Sequence, residues 1–133
     1  MNFELSEEQK MIQQSVERFV QENYDLTNRI KISSEDPGFS NEYWSSMAEL
    51  GWLGLAFGEE DGGFGGNQID TLVLMEQFGK GLVLEPFLAN IVLGGGAIKR
   101  GASEALKQSI IPSLIEGNLQ VTLAYAEEQS RFD

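Results

Sequence analysis

Residues 6–23, Ser-Glu-Glu-Gln-Lys-Met-Ile-Gln-Gln-Ser-Val-Glu-Arg-Phe-Val-Gln-Glu-Asn, decide the fold class. Ser6 and Gln9 have the spacing of a capping box, and Glu7 and Glu8 sit where carboxylates favour the positive end of a helix. Leu5, Ile12, Val16, Phe19 and Val20 recur at helical spacing, while Lys10, Gln13, Gln14 and Glu17 fall off that stripe. An amphipathic helix over about residues 6–23 follows.

The same period returns along the chain. A more polar helical turn is expected from Asp25 to about Ile32, with a loop over Ser33–Gly38. Ser40 or Asn41 can cap a third helix that turns Trp44, Met47 and Ala48 one way and stops at Gly51. The apolar, glycine-punctuated stretch Gly51–Phe57 is expected to be buried and extended, and Glu59–Gly66 to be a loop. Ile69, Leu72, Val73 and Glu76 give a fourth stripe. Leu74, Met75 and Phe78 make that helix apolar nearly all round, so more than one side should be covered. Pro86 suits the first turn of a fifth helix over Phe87, Leu88, Ile91, Val92 and Leu93. Ser103 caps a sixth with Leu106, Ile110, Leu114 and Ile115 inward, and Pro112 should kink or break it near Ile111.

The end has another period. Leu119, Val121, Leu123 and Tyr125 alternate with Gln120, Thr122, Ala124 and Ala126, the pattern of a strand. A strand after six helices has no ladder partner within the chain. The expected fold is all-α, an orthogonal or up-down bundle of about six helices ending in the first strand of a following β domain. Residues 1–118 form the helical domain. Residues 119–133 begin a sheet that continues elsewhere in the protein or in another subunit.

Composition narrows the function. The chain has 133 residues, 41% of them apolar, enough for one core. Against 9 Lys and Arg stand 21 Asp and Glu, a formal net charge of −12, which argues against nucleic acid as a partner. Cys and His are absent, which removes disulfides, thiolate zinc sites, serine and cysteine nucleophile triads and any imidazole base. The acidic start, Met1 to Glu8, resembles neither a secretory signal nor an Arg-rich presequence, and no apolar run approaches the roughly 20 residues of a membrane span. A cytoplasmic location is expected.

Gly62-Gly63-Phe64-Gly65-Gly66 could cradle a phosphate, yet Glu59-Glu60-Asp61 stands beside it and no Lys-Ser/Thr pair follows. A loop needing positive φ or close packing is the plainer reading. Gly94-Gly95-Gly96 with Lys99-Arg100 pairs glycines with cations, either toward a ligand phosphate or as a tight helix crossing with a solvated basic tip. The three acids lack calcium-loop spacing and read as a solvated turn, so no metal site is assigned. Trp44, Trp52, Phe57, Phe64 and Phe78 read as core, with room for one or two to line an apolar ligand.

Together these stretches resemble the acyl-CoA dehydrogenase family. Phe3-Glu4-Leu5-Ser6-Glu7-Glu8-Gln9 is similar to its opening. Glu49–Leu55 followed by Glu59–Gly65 resembles its E-L-G-x-L-G-L…P-E-E-x-G-G-x-G loop, with Gly58 where proline is usual. Pro112–Gly117 resembles its L-P-x-L-x-x-G step, and Leu123–Asp133 lies over F-A-M-T-E-P-x-x-G-S-D. There Ala126 replaces threonine, Glu128 replaces proline and Arg131-Phe132 replaces Gly-Ser. This ending resembles the small-subunit branch typified by pimeloyl-CoA dehydrogenase, where unlike chains assemble together.

The resemblance implies a flavoprotein oxidoreductase using FAD on an acyl-CoA. A glutamate takes the α-proton while the β-hydride passes to the flavin, and the acyl chain is held between them with water excluded. It implies that Tyr125 and Ala126 lie beside the flavin. Phe87, Leu88 and Ile91 are candidates for the acyl-chain wall, with ordinary core packing the alternative. The family's catalytic glutamate lies in a C-terminal helical domain, so no acid here takes that role, and the chain alone is expected to be inactive and not to hold FAD. The remaining domains, or like or unlike subunits, are the implied partners. The alternative is a non-catalytic assembly subunit of a heteromeric dehydrogenase.

Overall fold

The computed structural model describes residues 4–126. Six α-helices follow in order: α1 (Glu7–Asn23), α2 (Leu26–Ser34), α3 (Asn41–Glu49), α4 (Gln68–Gly81), α5 (Gly96–Gly101) and α6 (Glu104–Ile115). Short 3-10 turns form at Trp52–Gly54 and Glu59–Asp61, and a π-helical segment, Leu88–Gly95, runs directly into α5. No strand occurs among the described residues, and no helix among them is long and apolar enough to cross a membrane.

Side-chain caps start most of the helices. The box at α1 is closed from both ends: Gln9 N donates to Ser6 Oγ at 3.2 Å and Ser6 N to Gln9 Oε1 at 3.0 Å. Asp25 accepts from Thr27 N and Asn28 N, Ser40 from Tyr43 N, and Ser103 from Leu106 N. Asn67 and Asp70 form a second capping box on α4.

α1 and α4 make the most extensive helix pairing. Gly81 allows it: a Cβ there would lie 2.3 Å from Val20 Cγ1. Gln9 Nε2 ties the other end to Asp70 Oδ1 at 2.9 Å. Edge-to-face rings carry the core inward, with Phe19 on Trp52 at 5.3 Å, Trp52 on Phe78 at 5.8 Å and Phe78 on Phe87 at 5.4 Å. Met47, Leu53, Phe57, Leu74, Ile111 and Leu114 are buried around them. Each fully buried side chain of this kind contributes about 1.5–3 kcal/mol from its removal from water.

Several local expectations change; among them Phe64, read as core, is 63% exposed, and Leu106, read as inward, is exposed. Gly51–Phe57 is buried but not extended: Gly51 takes φ 79° beyond α3, and Trp52–Gly54 coils into a 3-10 turn. An apolar run this short cannot distinguish a buried strand from a buried turn by periodicity. Of the kink or break expected at Pro112, the break does not occur, and α6 continues to Ile115. Pro112 lies in the last turn, where its missing N–H leaves only the Gln108 carbonyl without its helical donor. Glu116 N and Gly117 N then close the end on Pro112 O and Leu114 O.

Residues 119–126 have no strand assignment, since a ladder needs a second strand and none lies among the described residues. This exit segment is nevertheless tied down at its start. Asn118 N and Leu119 N both donate to Ser113 O, and Val121 N donates to Asn90 Oδ1 at 2.8 Å. The expected turn through Glu127–Asp133 lies outside the described residues.

Candidate functional site

α4 carries apolar residues on more than one side, so it has two faces to cover. Val73, Leu74 and Phe78 face the core, and Thr71, Leu72 and Met75 line a cleft of about 620 Å³. The π-helical segment forms the opposite wall with Leu88, Ile91 and Val92. Ala56, Phe57 and Gly66 complete it, and Lys99 and Arg100 supply its cations. Leu72 is 66% exposed and Leu88 52%, so the cleft presents apolar surface to whatever fills or covers it.

The candidate wall residues divide. Leu88 and Ile91 line the cleft. Phe87 is 2% exposed and packs edge-on against Phe78, so it backs the wall from the core side. The glycine triplet works as a close crossing: a Cβ on Gly95 would lie 2.7 Å from Phe57 Cζ, and one on Gly94 2.7 Å from Val121 Cγ2. Lys99 Nζ donates to Ala56 O and Arg100 Nη1 to Gly96 O.

The approach to the π-helical segment is anchored by a buried carboxylate. Glu85, immediately before Pro86, is 6% exposed and accepts from Tyr24 Oη and from Ser40 N at 3.1 Å. Burial, and then Glu85 itself, hold the Tyr24 phenol well above its ordinary range. The network ties the ends of α1, α3 and the cleft wall together, and nothing in it faces the cleft.

The loop Gly62–Gly66 is not a phosphate cradle. Gly63 N donates to Gly58 O, Phe64 N to Gly54 O, Gly65 N to Phe57 O and Gly66 N to Leu55 O, so its amides are spent folding it against the preceding turn. A second cleft, of about 360 Å³, is lined by Glu60, Asp61 and Glu116, a setting that repels a phosphorylated ligand. Among the described residues no group of three or more Asp or Glu is placed to hold a metal ion.

Beyond the anchored stretch 118–121, Tyr125 is 70% exposed and Ala126 is exposed. The expected flavin-side segment thus starts from a fixed register and presents open surface. Sequence reasoning missed Thr71, Leu72 and Met75 as cleft lining, because their helix also supplies the core. It missed Asn90 as well, whose signal was a lone strongly polar residue in the apolar run from Phe87 to Leu93.

Residues 6–118 match the model of the family described as the acyl-CoA dehydrogenase N-terminal domain. The chain is 28% identical over 135 residues to a probable acyl-CoA dehydrogenase, YngJ, of Bacillus subtilis, covering all of this chain and 35% of that protein. Its fold is similar to a chain of the ChsE4-ChsE5 complex from Mycobacterium tuberculosis, with TM-score 0.84 and 24% identity over 92% of this chain and 34% of that one. It is also similar to an acyl-CoA dehydrogenase complexed with FAD from Bacillus anthracis, with TM-score 0.77 and 24% identity over 89% of this chain and 20% of that one. The chain spans about a third of the length of the curated relatives it matches.

Proposed function

The chain belongs to the acyl-CoA dehydrogenase N-terminal domain family, and from that premise we propose that it forms the helical wall of an acyl-chain pocket in an FAD-dependent dehydrogenase of acyl-CoA thioesters. The single observation that carries the reading is the cleft between α4 and the π-helical segment, with Leu88 and Ile91 on its wall and Phe87 behind them. An apolar channel holds an acyl chain by burying its methylenes, at about 0.8 kcal/mol each. Filling it expels water from around the thioester and fixes the chain against the reacting centre.

FAD would supply the two-electron acceptor, and the fit of this chain to it is partial. The exposed stretch Thr122–Ala126 leaves room for a ring, and Ala126 offers backbone groups but no hydroxyl. Flavin binding is therefore a property of the assembled protein, with Tyr125 and Ala126 contributing one edge. No carboxylate lines the cleft among the described residues, so the reading takes the proton-abstracting base from another domain of the assembled enzyme.

A second reading, a non-catalytic subunit that packs on a catalytic partner, draws support from the similar chain of the ChsE4-ChsE5 complex. One substitution tests the leading reading. In the assembled enzyme Leu88→Glu should raise the KM for octanoyl-CoA at least about tenfold with flavin still bound, since a carboxylate in an apolar channel is strongly unfavourable. An unchanged KM would remove the cleft from the acyl path.

A further inference from the structure

Asn90 is 1% exposed, and only half of its amide is used. Its Oδ1 accepts from Val121 N at 2.8 Å, while its Nδ2 has no acceptor among the described residues. A buried amide with an unmet N–H is costly, and an apolar side chain of similar size would pack there without that cost. The half that is satisfied points to the residue's role.

We propose that Asn90 is a positioning residue that sets the register of the exit segment against the cleft wall, and so sets where the flavin-side segment lies relative to the acyl chain. The π-helical segment carries both parts. Leu88 and Ile91 line the cleft, while Asn90 and Gly94 meet Val121 on the exit segment. Ser113 O holds Asn118 N and Leu119 N, so the segment is clamped from α6 on one side and from Asn90 on the other. Gly94 is part of the clamp, because a Cβ there would press on Val121. A one-residue slip of an extended chain moves it by about 3.3 Å and reverses its faces. Reacting groups tolerate about 0.5 Å. Asn90 thus couples wall and flavin edge without touching either ligand. The proposal rests on the reading of the exit segment as the flavin side.

The test is Asn90→Leu in the assembled enzyme, with flavin bound. The turnover number for octanoyl-CoA should fall about tenfold or more, with KM within about twofold and the flavin absorption band displaced. Asn90→Asp, which keeps the acceptor, should recover part of the turnover. Val121→Pro removes the donor from the other side. It should reproduce the loss and add little to Asn90→Leu in the double variant. A folded Asn90→Leu enzyme with unchanged turnover and flavin band, or losses that add fully, would overturn the proposal. If the assembled wild type binds no flavin, the functional reading fails by itself. The amide exchange of Val121 in the 133-residue chain then decides Asn90's role: about tenfold faster exchange in Asn90→Leu supports the clamp, and equal rates overturn it.

Discussion

A Cβ added at Gly63 would lie 2.4 Å from Phe57 O and 2.6 Å from Gly54 O, both backbone atoms that cannot move aside. Gly79, on the exposed side of α4, has nothing within 4 Å. Gly63→Ala is therefore expected to cost about 1–3 kcal/mol. Gly79→Ala is expected to gain about 0.5–1 kcal/mol by removing a helix-interior glycine. Urea unfolding measures both, and equal effects would contradict the packing described for the 58–66 loop. Tyr24 gives a pH-dependent expectation. Its folded-state pKa is raised above the ordinary 10.0, first by burial and then by Glu85, so the unfolded phenol ionises first. The stability it contributes is intact below about pH 10 and is lost as pH rises beyond, with a slope of up to about 1.4 kcal/mol per pH unit. Tyr24→Phe should lower stability at neutral pH by about 1–3 kcal/mol, since Glu85 loses a buried donor. It should also flatten the decline above pH 10. An unchanged slope there would assign the alkaline loss to other groups.

At the scale of elements, the caps were the legible part. Ser6, Ser40 and Ser103 announce α1, α3 and α6 because a short polar side chain before a periodic apolar run has a local job to do. Gln9 shows how a local signal can carry a non-local one: it completes the α1 box and also holds Asp70 of the α4 box. Gln9→Leu is expected to cost about 1–2 kcal/mol. It should raise amide exchange at the first turns of both α1 and α4, whereas protection lost in α1 alone would mean that the two helix starts are independent. What could not be read were the elements whose geometry depends on their neighbours. Gly51–Phe57 is coiled with the 64–66 amides folded onto its carbonyls, a contact invisible to periodicity. The π-helical course of Leu88–Gly95 places Gly94 against Val121 and Gly95 against Phe57, and no local pattern distinguishes it from an ordinary helix. The same limit applies to the candidate site. Leu88 and Ile91 were legible as an apolar stripe, but the core-side placement of Phe87 depends on Phe78.

At the scale of the whole molecule, the described residues present two features that bear on function. One is the apolar cleft between α4 and the π-helical segment, and the other is an exit segment clamped at residues 118–121. The π-helical segment touches both, through Leu88 and Ile91 on the cleft and through Asn90 and Gly94 at Val121. That arrangement suits a wall built to hold an acyl chain at a set distance from a cofactor bound largely by other parts of the protein. The measurement that tests this most directly is an absorbance spectrum with a sizing run on the purified 133-residue chain, first with FAD and then with octanoyl-CoA. A colourless protein that retains no flavin is the predicted result. A yellow protein bleached by octanoyl-CoA would contradict the account, because the chain would then hold both cofactor and base.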